Sequence, residues 1–259
     1  MAPLLANPYL SLVLLVLGGG LGFFGGLFGI GGGIIAVPLF VLGWGMDQSL
    51  AQGTALILMV PNLLIGWWRY QKHTPLPYRA ILSIGAAATL TTWFAARLIP
   101  LLSPWVLRQL FGAFLGLLSL HLWQKARQVQ RDAPMSFSPW ALPVVGCIGG
   151  GVMGLLGIGG GLIAGPLISG WLKQRQTVAQ GLSLALVAPS SLVALTAYAQ
   201  AGRVDWVLGL PLAIGGFFTV SAGVALAHRL PEKQLRKAFA VMLLITAVWL
   251  ILGAEIMPR

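Results

Sequence analysis

Eight apolar runs separated by short polar stretches organise this chain. Bounded by charges or proline clusters, they cover roughly residues 9–42, 49–68, 78–98, 104–123, 138–172, 177–200, 205–227 and 235–254. A helix of about 20 apolar residues crosses the hydrocarbon core of a bilayer. The pattern therefore predicts an all-α, polytopic integral membrane protein of about eight transmembrane segments. The first and fifth runs are too long for one simple crossing. Each is expected to be one strongly broken helix, or a crossing followed by a half-helix that does not cross fully. Trp44, Trp67, Trp68, Tyr70, Tyr78 and Trp105 fall at run ends, as do Trp123, Trp140, Trp171 and Trp206. That is the aromatic belt expected at the two membrane interfaces.

The runs repeat. Gly26 to Leu39 reads GLFGIGGGIIAVPL, and Gly154 to Leu167 reads GLLGIGGGLIAGPL, identical except at three positions. At the same offset, that from Gly33 to Gly161, Gln48, Ala51, Gln52, Gly53 and Leu56 match Gln176, Ala179, Gln180, Gly181 and Leu184. Pro61 matches Pro189, and Leu107, Arg108 and Phe111 match Leu235, Arg236 and Phe239. The chain divides into an N-terminal transmembrane repeat (1–124), a polar linker (125–137) and a C-terminal transmembrane repeat (138–259). Four crossings per repeat would relate the halves about an axis along the membrane normal. An odd number of true crossings would invert one half against the other. If every run crosses, Lys and Arg divide eight against eight between the two sides, and the positive-inside rule assigns no orientation.

Composition sharpens this picture. The chain is 58% hydrophobic and 8% charged, against roughly 25% charged in soluble domains, so lipid is the implied solvent. Sixteen Lys and Arg face five Asp and Glu, a net charge of +11. That excess suits loops at anionic headgroups or attraction of an anionic solute. The bases are scattered between apolar spans and form no stripe, which argues against nucleic acid. The N-terminus has no Lys or Arg before its first apolar run, unlike a cleaved signal peptide. Cys147 is the single cysteine, so no internal disulfide is expected. His73, His121 and His228 are far apart in sequence, and all five carboxylates lie near run ends. No metal ligand set, cofactor motif or nucleophile–base pair emerges, and no enzyme activity is expected. Gly20 to Gly25 satisfies a dinucleotide fingerprint with Asp47 downstream. It lacks the strand–helix context such a site needs.

The candidate chemistry lies in the glycine phrase. Gly29, Ile30, Gly31, Gly32 and Gly33, and again Gly157, Ile158, Gly159, Gly160 and Gly161, are poor helix formers, at about 1 kcal/mol per Gly relative to Ala. Pro38 and Pro166 weaken continuity further. Broken helix inside a membrane is tolerated only where it is buried in protein or lines a wet cavity. The free N–H groups and positive dipole end of a half-helix starting there suit an anion. Glycines spaced by four also serve close helix packing, the reading preferred for Gly18 to Gly25 and Gly146 to Gly151. Polar side chains inside the apolar runs complete the candidate site: Gln52, Thr54 and Asn62 on the second run, and Gln180, Ser183 and Ser190 on the sixth. Interhelical hydrogen bonding is the alternative role for each.

Two copies of Gly-Leu-x-Gly-Ile-Gly-Gly-Gly, each followed by Pro-Leu and by a run with Gln-Gly, resemble the TauE/SafE (sulfite exporter) family of membrane permeases. Leu235 to Phe239 at the opening of the last run is similar to that family too. The resemblance implies a permease of the inner or plasma membrane for small sulfur-containing or carboxylate anions, such as sulfite or organosulfonates, often moved outward. Carried onto this chain, it points to Gly29 to Gly33, Gly157 to Gly161, Pro38, Pro166, Gln52 and Gln180. Asn62 against Ser190, and Thr54 against Leu182, break the symmetry of the halves. The expected function is a secondary transporter working by alternating access between the repeats. The expected partners are a small anionic solute and the lipid bilayer, with homo-oligomeric assembly left open. An anion channel, or a scaffold subunit without transport of its own, are the competing readings.

Overall fold

A computed structural model describes residues 8–28, 31–73, 76–125, 140–172, 174, 176–227 and 232–256. Among these residues there is no strand. The helices are α1 (Pro8–Phe28), α2 (Gly33–Gly43), α3 (Gln48–His73), α4 (Tyr78–Ala96), α5 (Pro104–Lys125), α6 (Ala141–Leu156), α7 (Gly161–Pro166), α8 (Gln176–Gln200), α9 (Trp206–Ala227) and α10 (Glu232–Ile256). A wide π turn, Leu167–Trp171, prolongs α7 past Pro166.

The polarity of the fold is that of a membrane protein. Leu90, Phe94, Phe218 and Ile245 are exposed on the outside of the bundle, whereas Gln48, Gln52, Thr54, Asn62, Ser190 and Ser191 are buried within it. Among the described residues, five helical stretches are long and apolar enough to cross a membrane: Ser11–Phe28, Gln48–Trp68, Tyr78–Leu101, Val178–Gln200 and Trp206–Leu226. The α3 and α8 spans are the innermost, 72% and 67% buried against 33–39% for the other three.

Glycine brings two pairs of helices into backbone contact. A Cβ on Gly18, Gly22 or Gly26 of α1 would collide with the backbone of Leu212, Gly216 or Val220 of α9. A Cβ on Gly146, Gly150 or Gly154 of α6 would collide with backbone at Ile84, Ala88 or Thr92 of α4. Small residues every fourth position permit such approach, and the three α6 glycines are the repeat mates of the three on α1. Hydroxyls bond across both seams. Thr219 donates to the Gly19 carbonyl at 2.6 Å and Thr92 to the Gly150 carbonyl at 2.9 Å.

The same contacts give the helix directions. Numbers rise together along α1 and α9, and along α4 and α6, so each pair is parallel. The α3 and α8 helices are antiparallel: Tyr198 reaches Gln52, while Leu184 lies beside Gly66. The α5 and α10 helices are antiparallel too, through Arg108 to the Leu250 carbonyl and Ser119 to the Ala240 carbonyl. Asp205 caps α9 by accepting N–H groups of Val207 and Leu208 at 3.0 and 3.1 Å. Its own N–H donates to Thr54 Oγ1 at 3.0 Å, which sets the start of α9 beside the start of α3. That end of the bundle is called the near end, and the end where α3 finishes the far end.

The over-long runs prove to be hairpins. α1 starts at the near end, since it parallels α9, and Gly32 folds back against Leu21 and Gly25. α2 then runs from Met59 back toward the start of α3, so the chain enters and leaves at the near end. α6 starts at the far end, Gly160 folds back against Gly149, and α7 descends along α8 from Val187 to Ser183. The half-helix expectation of the sequence thus takes a specific form: the second arm reverses rather than completing a crossing.

Candidate functional site

Both interruptions are built from left-handed backbone. Gly31 and Gly32 have φ of 70° and 90°, and Gly157 and Gly159 have 63° and 90°. An L side chain there brings its Cβ against the next carbonyl at a cost of about 1–2 kcal/mol, so glycine is favoured at these positions. Gly157 ends α6 by donating its N–H to the Met153 carbonyl at 3.0 Å, the usual way glycine closes a helix. The new helices start at once: Ala36 N–H bonds the Gly32 carbonyl, and Ala164 N–H the Gly160 carbonyl, both at 3.0 Å. Gly31 to Gly33 and Gly157 to Gly160 are buried, and Gly161 is half-buried. Gly29 and Ile30 lie outside the described residues. Ile158 anchors its turn in the apolar core.

Met59 of α3 sits between the two turns. A Cβ on Gly33 would overlap its sulfur, and Cβ atoms on Gly31 and Gly159 would lie 3.6 Å from its Cβ and Cε. Val187, the repeat mate of Met59, stands in the same relation to Gly161. The turns are therefore packed through the two central helices rather than against each other.

Gln52 is fully buried beside the second turn, its Cβ 3.2 Å from where a Cβ on Gly157 would lie. Tyr198 Oη lies 3.0 Å from Gln52 Oε1 and 3.3 Å from the Leu155 carbonyl, sharing one proton between two acceptors. With its oxygen engaged, the amide turns its Nε2 donors elsewhere, and they have no partner. Gln48 and Asn62 are 2% and 5% exposed, and neither amide is hydrogen-bonded. Gln48, Gln52, Met59 and Asn62 recur at helical spacing on one face of α3. Buried polar groups in folded proteins are almost always paired. Two unpaired amides and the free Nε2 of Gln52 thus form a row of unused polar groups along one face of α3.

The other sequence candidates divide. Thr54 donates to Leu50 and accepts from Asp205, so its hydroxyl fastens α3 to the start of α9. Ser183 and Ser190 donate to carbonyls of their own helix, Ala179 at 2.7 Å and Leu186 at 2.6 Å. Ser183 also lies against Gly161 and Gly165. Gln180 is exposed, unlike its counterpart Gln52. Tyr198 and Met59 are not among the sequence candidates. A signal for Tyr198 exists, since Tyr70 is its repeat mate. Met59 carries none, because its counterpart is Val187. Two outward grooves, one between α4 and α8 and one between α1 and α9, are apolar and border neither turn. Among the described residues no three His, Cys, Asp or Glu side chains gather to hold a metal.

The amino-acid sequence is similar to known proteins over nearly the whole chain. A probable membrane transporter protein of Methanocaldococcus jannaschii is 26% identical over 257 residues, covering 93% of this chain and 95% of that protein. A probable membrane transporter protein of Xylella fastidiosa is 26% identical, with 93% and 95% covered. The probable membrane transporter protein YunE of Bacillus subtilis is 27% identical, with 92% and 96% covered. The family profile described as "Sulfite exporter TauE/SafE" matches residues 14–250. The chain is thus an integral membrane protein and a transporter rather than an enzyme, and it belongs to the TauE/SafE sulfite exporter family.

Proposed function

We propose that this transporter carries a small oxyanion, such as sulfite, an organosulfonate or a small carboxylate, across the cell membrane. The observation that carries this reading is Gln52: two amide donors, fully buried, unpaired and held by Tyr198 beside a glycine turn. An anion's oxygens accept such donors, and hydrogen bonds to a charged partner are worth about 1.5–3 kcal/mol. Met59 and the two turns mark the centre of the site. The second turn, with Gln52, forms one wall; Gly31 to Gly33, with Asn62 nearby on α3, forms the other.

The chain is read as two inverted repeats, 1–124 and 138–259, joined by the linker 125–137. Support comes from the contacts at constant offset, from the antiparallel central pair α3 and α8, and from the hairpins opening at opposite ends. Each repeat then has three end-to-end helices and one hairpin. The odd count inverts the second half, the design in which substrate sits where broken helices from two repeats meet. Exchange between two conformations related by a pseudo-two-fold axis in the membrane plane would open the site first to one end and then to the other.

The test is uptake and efflux of labelled sulfite and organosulfonates in vesicles holding the purified protein. Saturable flux is expected, and Gly31→Leu and Gly159→Leu should abolish it. Variants that insert normally yet transport at the parental rate would refute the site.

A further inference from the structure

We infer that the far end of the bundle faces the cytoplasm, against anionic lipid headgroups, and that the near end, where α1 starts, faces outward. The helix directions decide how the basic residues divide. The connection from α3 to α4 and its flanks carry Arg69, Lys72 and Arg79. The connection from α5 to α6 carries Lys125, Arg127 and Arg131, and that from the second hairpin to α8 carries Lys173 and Arg175. The sequence leading into α10 and its first turns carries Arg229, Lys233, Arg236 and Lys237. Among the described residues, Arg69, Lys72, Arg79, Lys125, Lys233, Arg236 and Lys237 lie at the far end; Arg127, Arg131, Lys173, Arg175 and Arg229 lie outside the described residues, in sequence stretches that join helices at that end. Among the described residues the near end keeps Arg97, Arg108 and Arg203. Among the described residues it also holds the carboxylates Asp47, Asp205 and Glu255, and Arg203 lies 3.7 Å from Asp47.

The eight-to-eight division holds only if each long run crosses once. Because each hairpin leaves where it entered, every connection after α1 changes side relative to that count until the second hairpin restores it. Among the described residues the folded chain presents a division of seven to three. Short loops rich in Lys and Arg stay on the cytoplasmic side, and an anionic leaflet attracts each such residue by about 1 kcal/mol. Near-equal counts would let the protein insert both ways, whereas an excess of this size specifies one orientation.

This inference rests on residence in the cell membrane but not on the choice of substrate. Its test uses Cys147→Ser as background, with one cysteine introduced at the exposed near-end position, Ala201→Cys, or at the exposed far-end position, Tyr78→Cys. Both are treated with a membrane-impermeant maleimide in spheroplasts. Ala201→Cys should label in intact spheroplasts, and Tyr78→Cys only after permeabilisation. The reverse pattern, labelling of both from outside, or labelling of neither until permeabilisation would each overturn the assignment. Anion flux in vesicles is unaffected by that result, so a failure here is distinct from a failure of the transport reading.

Discussion

Gln52 is constrained at one end of its amide only. Tyr198 holds Oε1 at 3.0 Å while Nε2 is buried without a partner, and an unmet buried donor lowers stability by about 1–3 kcal/mol. Replacing it with an apolar side chain removes that penalty, and Tyr198 Oη keeps the Leu155 carbonyl at 3.3 Å. Gln52→Leu is therefore expected to leave the melting temperature of the detergent-solubilised protein unchanged or higher. It should also abolish the stabilisation that a bound anion confers. Tyr198→Phe should act oppositely on stability, losing about 1 kcal/mol, because it strands Oε1 and frees the amide to rotate. A thermal-shift titration with sulfite on both variants checks the pair. Unaltered sulfite-induced shifts in both would remove Gln52 from the site. Sequence places Gln52 among the candidates through its repeat mate Gln180, yet the two differ in burial. Gln52 is buried under the Tyr198 hydroxyl and the second turn whereas Gln180 is exposed, and pattern carries no record of that.

Between helices, glycine serves two separate purposes, and substitution tells them apart. Gly22 and Gly150 lie in backbone seams where a Cβ meets the facing main chain, whereas Gly20 and Gly151 have nothing within 4 Å. Gly22→Ala and Gly150→Ala should force the seams open and sharply lower the yield of monodisperse protein in size-exclusion chromatography. Gly20→Ala and Gly151→Ala should be tolerated, with a gain approaching about 1 kcal/mol from helix propensity. Gly159 is different again. Space exists for its Cβ, with neighbours at 3.6 Å, but φ is 90°. Gly159→Ala should cost about 1–2 kcal/mol through backbone strain alone. Thermal unfolding would show this as a modest loss, against a severe one for Gly150→Ala. Spacing along the chain assigns packing to Gly18 through Gly25 and to Gly146 through Gly151, and unwinding to the Gly-Ile-Gly-Gly-Gly cores. It cannot separate Gly150 from Gly151, since only the facing helix determines which glycine meets a backbone.

For the molecule as a whole, the halves are interlocked. The first helix of each half packs along the helix that follows the central one in the other half, α1 on α9 and α6 on α4. Fragments 1–130 and 131–259 expressed separately should each be degraded or aggregated, for each would expose a glycine seam with no partner. Co-expression should let them co-purify. Recovery of either fragment alone as a monodisperse species would show that the seams are dispensable. Residue order is enough to reveal lipid as solvent, a helical fold, an internal duplication and two interruptions, because apolar run length, glycine clusters and self-similarity are properties of a line. Whether an interrupted run continues across or turns back is not such a property. It depends on Gly32 finding Leu21 and Gly160 finding Gly149, contacts that need the chain folded upon itself. From that reversal follow the antiparallel central helices, the opposed hairpins and the gathering of basic residues at one end. None can be read along the chain, because each is a relation between segments brought together only by packing.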